Sequence, residues 1–587
     1  MDPMFFLTSA LVFLPGWLIS RLFRKSAHET AVLCFVMSFL FYGLWIQLPF
    51  IRFNAVVWVV LVSLLFFVSL SIKKPEIKKI DFDFWTKIAF FIIILSVAQK
   101  LFVSGSLFFP PGEDIPPHLY RAQLIYLNEM RPSDSMPYFE FKSFNYPSAS
   151  HALLASYRFF NYPLEKAMLY LGIFSHAFLA LAVFILISDI FKSTKTAVFS
   201  VILVCFTSLG LHEYFLWGAF PALMSWTMVV MCIYYSLNLR EKELALCLAS
   251  SSLTHSFAGI VSVIFLFSSL LPDLRNWKKY TKVFFVFAVL TLPQTYFTLA
   301  DYLEFMPEKQ SNTYPVPGGE IPVLQAISVL LSRPSEYSFF SFLIPFSTML
   351  WLLFFIGLYS FTKIKQKYQF LLFFVFISAL LASEKLGFSG WQFVLPTRFL
   401  ESLFIVYIVI YCCGINFFIE KKHFIPLAVF AVLFLLEIPY PYNSSVWARQ
   451  RQEQWTLVNE DDMQAINFIS ALNDSLIVAE PRSAGQMIPY YTGKKIFYFP
   501  YYDACFALKE GNCFIDFEKR RSLLSTINNI EPESYKAYNA TVFFKAHSVF
   551  PVEKSELTAL EFNKTLFIEK GMEEIFSSGN SSVLKIA

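Results

Sequence analysis

The chain has 587 residues, of which 56% are hydrophobic and only 15% are charged, and it contains 71 phenylalanines. Soluble domains carry charge on about a quarter of their residues, so this composition excludes a soluble multidomain protein. The net charge of +4 says little about partners, because the distribution of charge matters more, and no nucleic-acid partner is expected. Apolar runs long enough to cross the ~30 Å hydrocarbon core of a bilayer recur up to about residue 438. The chain is therefore predicted to be a polytopic α-helical membrane protein.

Short clusters of Lys and Arg between the apolar runs predict how these runs cross the membrane. Short basic loops stay on the cytoplasmic side, and seven are present, at residues 21–25, 73–79, 191–195, 239–243, 275–282, 362–368 and 420–423. The predicted spans are residues 4–20, 31–49, 55–72, 88–105, 166–188, 196–211, 221–238, 244–254, 256–271, 283–299, 339–361, 369–383, 399–418 and 425–438. These 14 crossings place both termini outside.

The segment 244–271 must cross the membrane an even number of times, because both of its flanks are basic. Its roughly 28 residues are too few for two full spans of ~20 residues each. We therefore expect two short or tilted helices with a turn at residues 254–256. Such broken segments are tolerated where protein shields them or where they line a wet cavity.

The tail, residues 440–587, is mixed polar and apolar and contains no predicted span, so the alternation places it outside the membrane as an extracytoplasmic domain. All five N-x-S/T sequons lie in this tail, at Asn443, Asn473, Asn539, Asn563 and Asn580. Two strand-like stretches and one amphipathic helix predict a small α/β domain, at residues 474–480, 494–500 and 461–473. Cys505 and Cys513 are the two outer cysteines, and either a disulfide or free thiols fits the sequence.

A polar stretch, PPGEDIPPHLYRAQ, follows the fourth predicted span on the outer side. Asp114 precedes a helix that is expected to begin at residue 116. A capping Asp accepts hydrogen bonds from the N–H of the second or third helical residue, but Pro116 and Pro117 have no N–H. The Asp114 carboxylate thus lacks its usual capping donors, which favours another role over that of a helix cap, whereas Glu113 is either solvated or a second acid of a site. His118, one helical turn later, either orients the carboxylate, contacts a ligand or is structural.

Other polar residues lie at the outer ends of predicted spans. His212 and Glu213 end one span, His255 lies at the turn of the broken pair, and Trp391 and Arg398 lie between two spans. Ionisable groups near hydrocarbon are costly and usually face a cavity. Two of these residues also have a structural explanation: Trp391 suits the aromatic belt at the membrane interface, and Arg398 could snorkel to that interface. Arg398 is, however, a cation on the predicted outer side, against the positive-inside trend. Together these loops are expected to wall one outward-facing pocket.

Five segments resemble, in order, the outer loops of the GT-C superfamily of membrane glycosyltransferases. They are GEDIPPHLYRA (112–122), FNYPSASHALLA (144–155), HEYFLWGAFPALMS (212–225), SLTHSFAG (252–259) and LPTRFLES (395–402). The resemblance is to enzymes that use polyprenyl-phosphate sugars, such as the protein mannosyltransferases and related archaeal and bacterial enzymes. It suggests three parts: N-terminal extra transmembrane helices (1–87), a GT-C-like core with outer catalytic loops (88–439) and the extracytoplasmic α/β domain (440–587).

The resemblance implies roles for particular residues. In that family an acid in the first outer loop acts at the catalytic centre, and Asp114 matches its position, with Glu113 beside it. His118 is a further catalytic candidate. A basic residue in a late outer loop commonly binds the donor phosphate, and Arg398 matches it best. The remaining pocket candidates are His212, Glu213, His255 and Trp391.

The implied partners are a polyprenyl-phosphate-linked sugar, such as a dolichyl-phosphate sugar, a glycan, lipid or protein acceptor, and membrane lipid. The implied location is the cell membrane, with a role in glycosylation at the cell envelope. We find no clear D-x-D pair of the kind that metal-dependent oligosaccharyltransferases carry. No metal site and no cofactor are therefore predicted, with a divalent cation left open, and transfer of a single sugar is favoured over en-bloc transfer.

The residue types fit such a reaction. The leaving lipid phosphate needs charge stabilisation, which an arginine supplies through forked hydrogen bonds. The poor acceptor hydroxyl benefits from a general base, worth ~10²–10⁴-fold, and direct displacement would invert the sugar. A glycosidase would instead need two carboxyl groups ~5–9.5 Å apart across the bond. Two other classes stay open: a transporter or lipid flippase, which broken helices suit, and a non-catalytic membrane protein with a GT-C-like fold.

Overall fold

The computed structural model describes residues 2–23, 26–71, 83–105, 107–112, 114–133, 146–206, 211–212, 214–215, 218–305, 348–383, 402–422, 456, 458–473, 476–479, 483–496, 535, 540–546 and 564–586. The helices of the membrane part are α1 (Pro3–Val12), α2 (Leu14–Ser20), α3 (Ala27–Trp45), α4 (Ala55–Ser71), α5 (Phe84–Ser104), α6 (Ile115–Asn128), α7 (Ala149–Ala155), α8 (Leu164–Phe191), α9 (Thr194–Phe206), α10 (Phe220–Leu237), α11 (Glu241–Thr254), α12 (Ser256–Leu270), α13 (Trp277–Phe305), α14 (Thr348–Phe361), α15 (Lys367–Ser383) and α16 (Phe404–Glu420). Short 3₁₀ turns at Ser156–Phe160 and Leu271–Asn276 follow α7 and α12.

These helices confirm the predicted multi-pass helical architecture, since each predicted span up to residue 418 overlaps one of them. Five described helical stretches are long and apolar enough to cross a membrane, namely Ala27–Trp45, Phe84–Ser104, Leu164–Phe191, Phe220–Leu237 and Ser256–Phe297. Helices α1 and α2 form a sixth if their 46° bend is counted within one span. The last predicted span, residues 425–438, lies outside the described residues, so the count of 14 stays a prediction.

The burial pattern divides the helices into central and peripheral ones. Helix α10 is buried along nearly its whole length, whereas α4, α5 and α13 expose large apolar side chains such as Val56, Phe91, Phe102 and Phe285. Exposed apolar faces of this extent mark surfaces that water does not cover. They fit helices that face lipid around a protein-shielded centre.

The predicted break in the segment 244–271 is confirmed. Helix α11 ends at Thr254 and α12 begins at Ser256, with His255 between them in an extended conformation (φ −155°, ψ 121°). The two helices approach closely, because a Cβ on Gly259 would lie 2.8 Å from Cα of Ser252. Protein thus shields the break, and it places His255 at a buried position.

The N-terminal helices pack directly against the later helices. The Phe5 ring lies 4.8 Å from that of Tyr170, centroid to centroid, and the hydroxyls of Ser9 and Tyr157 are 2.9 Å apart. At the other end of the bundle, the buried Glu29 carboxylate accepts hydrogen bonds from Tyr235 at 2.9 Å and Arg240 at 2.8 Å. The first helices therefore help to form the same core as the rest of the membrane part.

The C-terminal part is an α/β unit, as predicted. Its helices are α17 (Glu460–Ala471), α18 (Ile488–Thr492) and α19 (Lys564–Glu569), and its strands are β1 (Leu476–Ala479), β2 (Lys495–Ile496), β3 (Val542–Lys545), β4 (Glu573–Ser578) and β5 (Ser581–Lys585). The sheet order is β2-β1-β3-β5-β4. Strands β1, β2 and β3 are parallel, while β5 pairs antiparallel with β3 and β4. A capping box at Asn459 starts α17.

This α/β unit contacts the first loop after α5. Pro111 and Thr456 form an isolated antiparallel bridge. The Tyr490 hydroxyl accepts a hydrogen bond from Arg158 Nη2 at 3.1 Å and donates one to Glu165 Oε2 at 3.2 Å. The α/β unit therefore lies on the same side of the helical part as Asp114. The assignment of this side to the outer face of the membrane stays a prediction.

Candidate functional site

Asp114 stands at the N-cap of α6 without the usual capping hydrogen bond. Helix α6 begins at Ile115, one residue earlier than expected, so Pro116 and Pro117 occupy its second and third positions. These are the positions whose N–H groups an N-cap side chain normally binds, and the Asp114 side chain makes no such bond. The N–H of Ile115 instead donates to the carbonyl of Gly112 at 3.4 Å. Local backbone structure therefore does not use the Asp114 carboxylate as a helix cap.

His118 lies one turn along α6 and is hydrogen-bonded to a second histidine. Its Nδ1 lies 3.0 Å from Nε2 of His151, which belongs to α7. The Nδ1 of His151 lies 3.2 Å from the carbonyl oxygen of Pro147. Both rings are buried, with exposures of 5% for His118 and 1% for His151. Burial, and next the charge of Arg121, hold the pKa of His151 well below its usual value, so His151 is neutral near pH 7.

The ring of Tyr146 joins these histidines to the broken helix pair. Its centroid lies 5.5 Å from that of His118, 5.1 Å from that of His151 and 6.1 Å from that of His255. The Arg121 guanidinium lies 4.8 Å from the centre of the same ring. The structure thus brings together side chains from α6, from α7 and the segment before it, and from the α11–α12 break. We call the five residues His118, Arg121, Tyr146, His151 and His255 the histidine cluster.

The loop before α10 approaches the first helical residue after Asp114. Gly218 has a φ of +76°, and a Cβ there would lie 2.9 Å from Cγ1 and Cδ1 of Ile115 and 3.1 Å from its backbone nitrogen. Glycine fits here because L-residues rarely adopt this φ and because no side chain has room. Gly218, in the loop before α10, is therefore in direct contact with the start of α6, and that these segments wall one pocket stays a prediction.

His212 belongs to a second group, beside α8. Its ring stacks on that of His176 with centroids 4.7 Å apart. Lys100, a buried lysine of α5, lies within electrostatic range of His176 and donates to Ser96 Oγ at 3.1 Å. The described contacts of His212 thus place it with these basic groups and not in the histidine cluster.

Several predicted site residues lie outside the described residues. They are Glu113, Glu213, Trp391 and Arg398, and the tail cysteines Cys505 and Cys513 lie outside as well. The roles of all of these residues remain predictions. Within the described part of the chain, no group of three or more His, Cys, Asp or Glu side chains is arranged to hold a metal ion.

Four residues of the histidine cluster and of the His212 group have no role predicted from the sequence. They are His151, Tyr146, Lys100 and His176. His151 and Tyr146 lie in the 144–155 segment, whose signal in the sequence is its resemblance to an outer loop, and Lys100 and His176 lie inside apolar runs. An ionisable residue within an apolar run is the signal that could have identified the last two.

Together these features define a polytopic helical membrane protein whose α/β unit contacts the loop after α5 and the start of α8. No protein-family model matches the sequence, and no curated protein matches it. Among the solved structures, the chain is similar to the crystal structure of ArnT from Cupriavidus metallidurans bound to undecaprenyl phosphate. The two are 11% identical, the match covers 86% of this chain and 97% of that chain, and the TM-score is 0.45. That likeness does not define the reaction, which has to be inferred from this chain's own residues.

Proposed function

We propose that the protein is a GT-C-type glycosyltransferase that moves a single sugar from a polyprenyl phosphate to an acceptor hydroxyl at the outer face of the membrane. The observation that carries the proposal is Asp114, a carboxylate at the start of a helix that does not use it as a cap. It lies one helical turn before His118 of the histidine cluster, whose three histidines are buried, and an acid occupies this position in the GT-C enzymes that the loop segments resemble.

Asp114 would act as the general base. A sugar phosphate already has a good leaving group, so the slow part of the reaction is attack by a weakly nucleophilic hydroxyl. A carboxylate that accepts the hydroxyl proton typically contributes ~10²–10⁴-fold. In direct displacement the hydroxyl attacks the anomeric carbon, the carbon–oxygen bond to the phosphate breaks, and the proton passes to Asp114. One displacement of this kind inverts the anomeric configuration.

Arg398 would bind the leaving phosphate. A guanidinium offers two parallel N–H groups to two phosphate oxygens, which a lysine ammonium cannot match. Support for this assignment comes from the LPTRFLES resemblance and from the position of Arg398 before a predicted span. A phosphate bound at the membrane edge lets the polyprenyl chain stay in lipid.

A test of the proposal uses the purified protein in detergent, where no membrane separates two compartments. Polyprenyl-phosphate hexoses and pentoses are offered with glycan, lipid and peptide acceptors, and the polyprenyl phosphate released is measured. We expect acceptor-dependent release of polyprenyl phosphate with an inverted glycosidic product. A second assay uses the protein in proteoliposomes with labelled lipid-linked sugar. If the protein moves this lipid between the leaflets and forms no glycosidic product in either assay, then it is a transporter and the proposal is wrong.

A further inference from the structure

The α/β unit contacts the chain on both sides of Asp114. Shortly before Asp114, Pro111 forms the antiparallel bridge with Thr456. Shortly after it, the ring of Tyr120 in α6 lies 6.3 Å from that of Tyr490 in α18, centroid to centroid. Aromatic pairs attract each other at this separation, and both rings are buried. The same unit therefore holds the chain near both ends of a short segment that has Asp114 within it.

The first turn of α6 has few hydrogen bonds of its own to hold Asp114 in place. The first N–H groups of a helix have no intrahelical partner, and Pro116 and Pro117, which lie in this turn, have no N–H at all. The Asp114 side chain makes no capping hydrogen bond. Contacts from outside the helix therefore contribute more to the position of Asp114 than they would at an ordinary helix start.

Tyr490 also fixes the α/β unit to other parts of the helical bundle. Its hydroxyl accepts from Arg158 Nη2 at 3.1 Å and donates to Glu165 Oε2 at 3.2 Å. Burial, and next the charge of Glu165, hold the pKa of Tyr490 well above its usual value. The hydroxyl therefore keeps its hydrogen at neutral pH and can make both bonds. Since Arg158 lies in the 3₁₀ turn after α7 and Glu165 at the start of α8, Tyr490 joins these elements to α6.

We propose that the α/β unit positions the catalytic base: Thr456 and Tyr490 are positioning residues that hold the chain on both sides of Asp114 and set the reach of its carboxylate to the acceptor hydroxyl. The part of this inference that concerns catalysis rests on the proposed function. The part that concerns how the start of α6 is held does not, and the two parts are measured separately.

The hold on α6 is tested by hydrogen–deuterium exchange of the purified full chain, which reports local opening. Tyr490→Leu removes the ring contact and both hydrogen bonds, whereas Tyr490→Phe keeps the ring. We expect the first turns of α6 to exchange faster than in wild type in Tyr490→Leu, and less so in Tyr490→Phe. Peptides from α10, which is buried along nearly its whole length, should not change. Unchanged exchange in α6 would overturn the inference. If Tyr490→Leu also opens α10, that variant is not folded and Tyr490→Phe decides instead.

A disulfide in place of the bridge provides a rescue. Pro111 has no N–H to exchange with the residue opposite, so Pro111 and Thr456 form a non-hydrogen-bonded pair, whose Cα atoms lie ~4.5 Å apart. A disulfide accepts Cα separations of ~4.4–6.8 Å. Pro111→Cys combined with Thr456→Cys can therefore be closed by oxidation and opened by reduction, and Thr456→Cys alone controls for the native cysteines. Closing this disulfide in Tyr490→Leu should return the exchange of α6 toward wild type.

The catalytic part is tested by kinetics of the same variants. Misplacing a catalytic group by about 1 Å costs up to ~10²-fold, so we expect kcat to fall about tenfold or more in Tyr490→Leu. The donor KM should stay unchanged, because the donor phosphate is assigned to Arg398 and not to Asp114. Oxidation of the engineered disulfide should restore kcat, and reduction should remove the gain. In Asp114→Asn, adding Tyr490→Leu should cost nothing further, because the base that it positions is already absent.

Three results would overturn the positioning role. They are a wild-type kcat in Tyr490→Leu, a loss of kcat that the closed disulfide does not restore, and an equal further loss when Tyr490→Leu is added to Asp114→Asn. A chain without transferase activity, whose α6 exchange still responds to Tyr490→Leu and to the disulfide, would fail the proposed function alone and leave the hold on α6 standing.

Discussion

Replacing Gly218 with alanine tests whether the 211–220 loop sets the position of the residue beside Asp114. Alanine at a φ of +76° costs ~1–2 kcal/mol of backbone strain. Its Cβ would also meet Ile115 at 2.9 Å on the side chain and 3.1 Å on the backbone nitrogen. Overpacking of this kind adds ~1–3 kcal/mol, so we expect a total loss of about 2–5 kcal/mol if the two effects add. The Ile115 side chain can rotate, but its backbone nitrogen cannot move without shifting the start of α6.

Gly493 provides a matched control for this substitution. It has a φ of +70°, and a Cβ added there would have no atom within 4 Å, so Gly493→Ala carries the backbone strain without the collision. Thermal melting in detergent and the initial rate of sugar transfer are measured for both variants. We expect Gly218→Ala to melt below Gly493→Ala and to lose transfer activity, while Gly493→Ala keeps it. Shortening Ile115 to alanine should partly rescue Gly218→Ala. If both glycine variants melt and react alike, the reasoning about this contact is wrong.

Three further predictions concern Tyr490, Arg398 and His151. Tyr490→Phe removes the hydroxyl that joins Arg158 to Glu165. The loss of a hydrogen bond weakens this contact by ~0.5–1.5 kcal/mol, so limited proteolysis should release the tail faster than in wild type, while Tyr491→Phe should not. Arg398→Lys should raise the donor KM and lose much of the transfer, because a point charge does not reproduce the forked contact; wild-type kinetics would disprove the assignment. Because the pKa of His151 is lowered in the folded state, its contribution to stability is present above the unfolded value of about 6.5 and is lost as the pH falls below it. The drop in melting temperature between pH 7 and 5 should therefore be smaller in His151→Gln, and an equal drop would contradict this account.

The helical architecture could be predicted because hydrocarbon thickness and positive loops constrain the chain strongly. The break at His255 followed from arithmetic alone: both flanks were basic and the segment was too short for two full spans. Helix α17 and strands β1 and β2 of the tail likewise followed from their apolar pattern, whereas β3, β4 and β5 were not predicted. These features depend on residues that are close in sequence, which is why local pattern was sufficient.

The histidine cluster could not be predicted in the same way. His118 and His151 are 33 residues apart, and neither has a local signal that points to the other. The absence of a capping hydrogen bond at Asp114 could be predicted from the sequence, because Pro116 and Pro117 lack the N–H groups that such a bond needs. Which partners surround it depends on how α6, α7 and the α11–α12 break pack together. Lys100 shows a further limit. A lysine inside an apolar run indicates an unusual position, but the sequence does not identify the residues that contact it in the fold.

The central claim, that Asp114 is the catalytic base, is tested most directly by Asp114→Asn. Asparagine keeps the shape of the side chain but cannot accept the hydroxyl proton. The matched control is Asp83→Asn, at the N-cap of α5, where the aspartate accepts a hydrogen bond from the Thr86 N–H at 2.7 Å and asparagine caps equally well. Sugar transfer from a polyprenyl-phosphate donor is measured for both purified variants, with thermal melting as the folding control. We expect Asp114→Asn to lose ~10²-fold or more of the transfer with unchanged melting, and Asp83→Asn to react like wild type. Unchanged transfer by Asp114→Asn would contradict the account, and so would lost transfer that comes with a collapse in melting temperature.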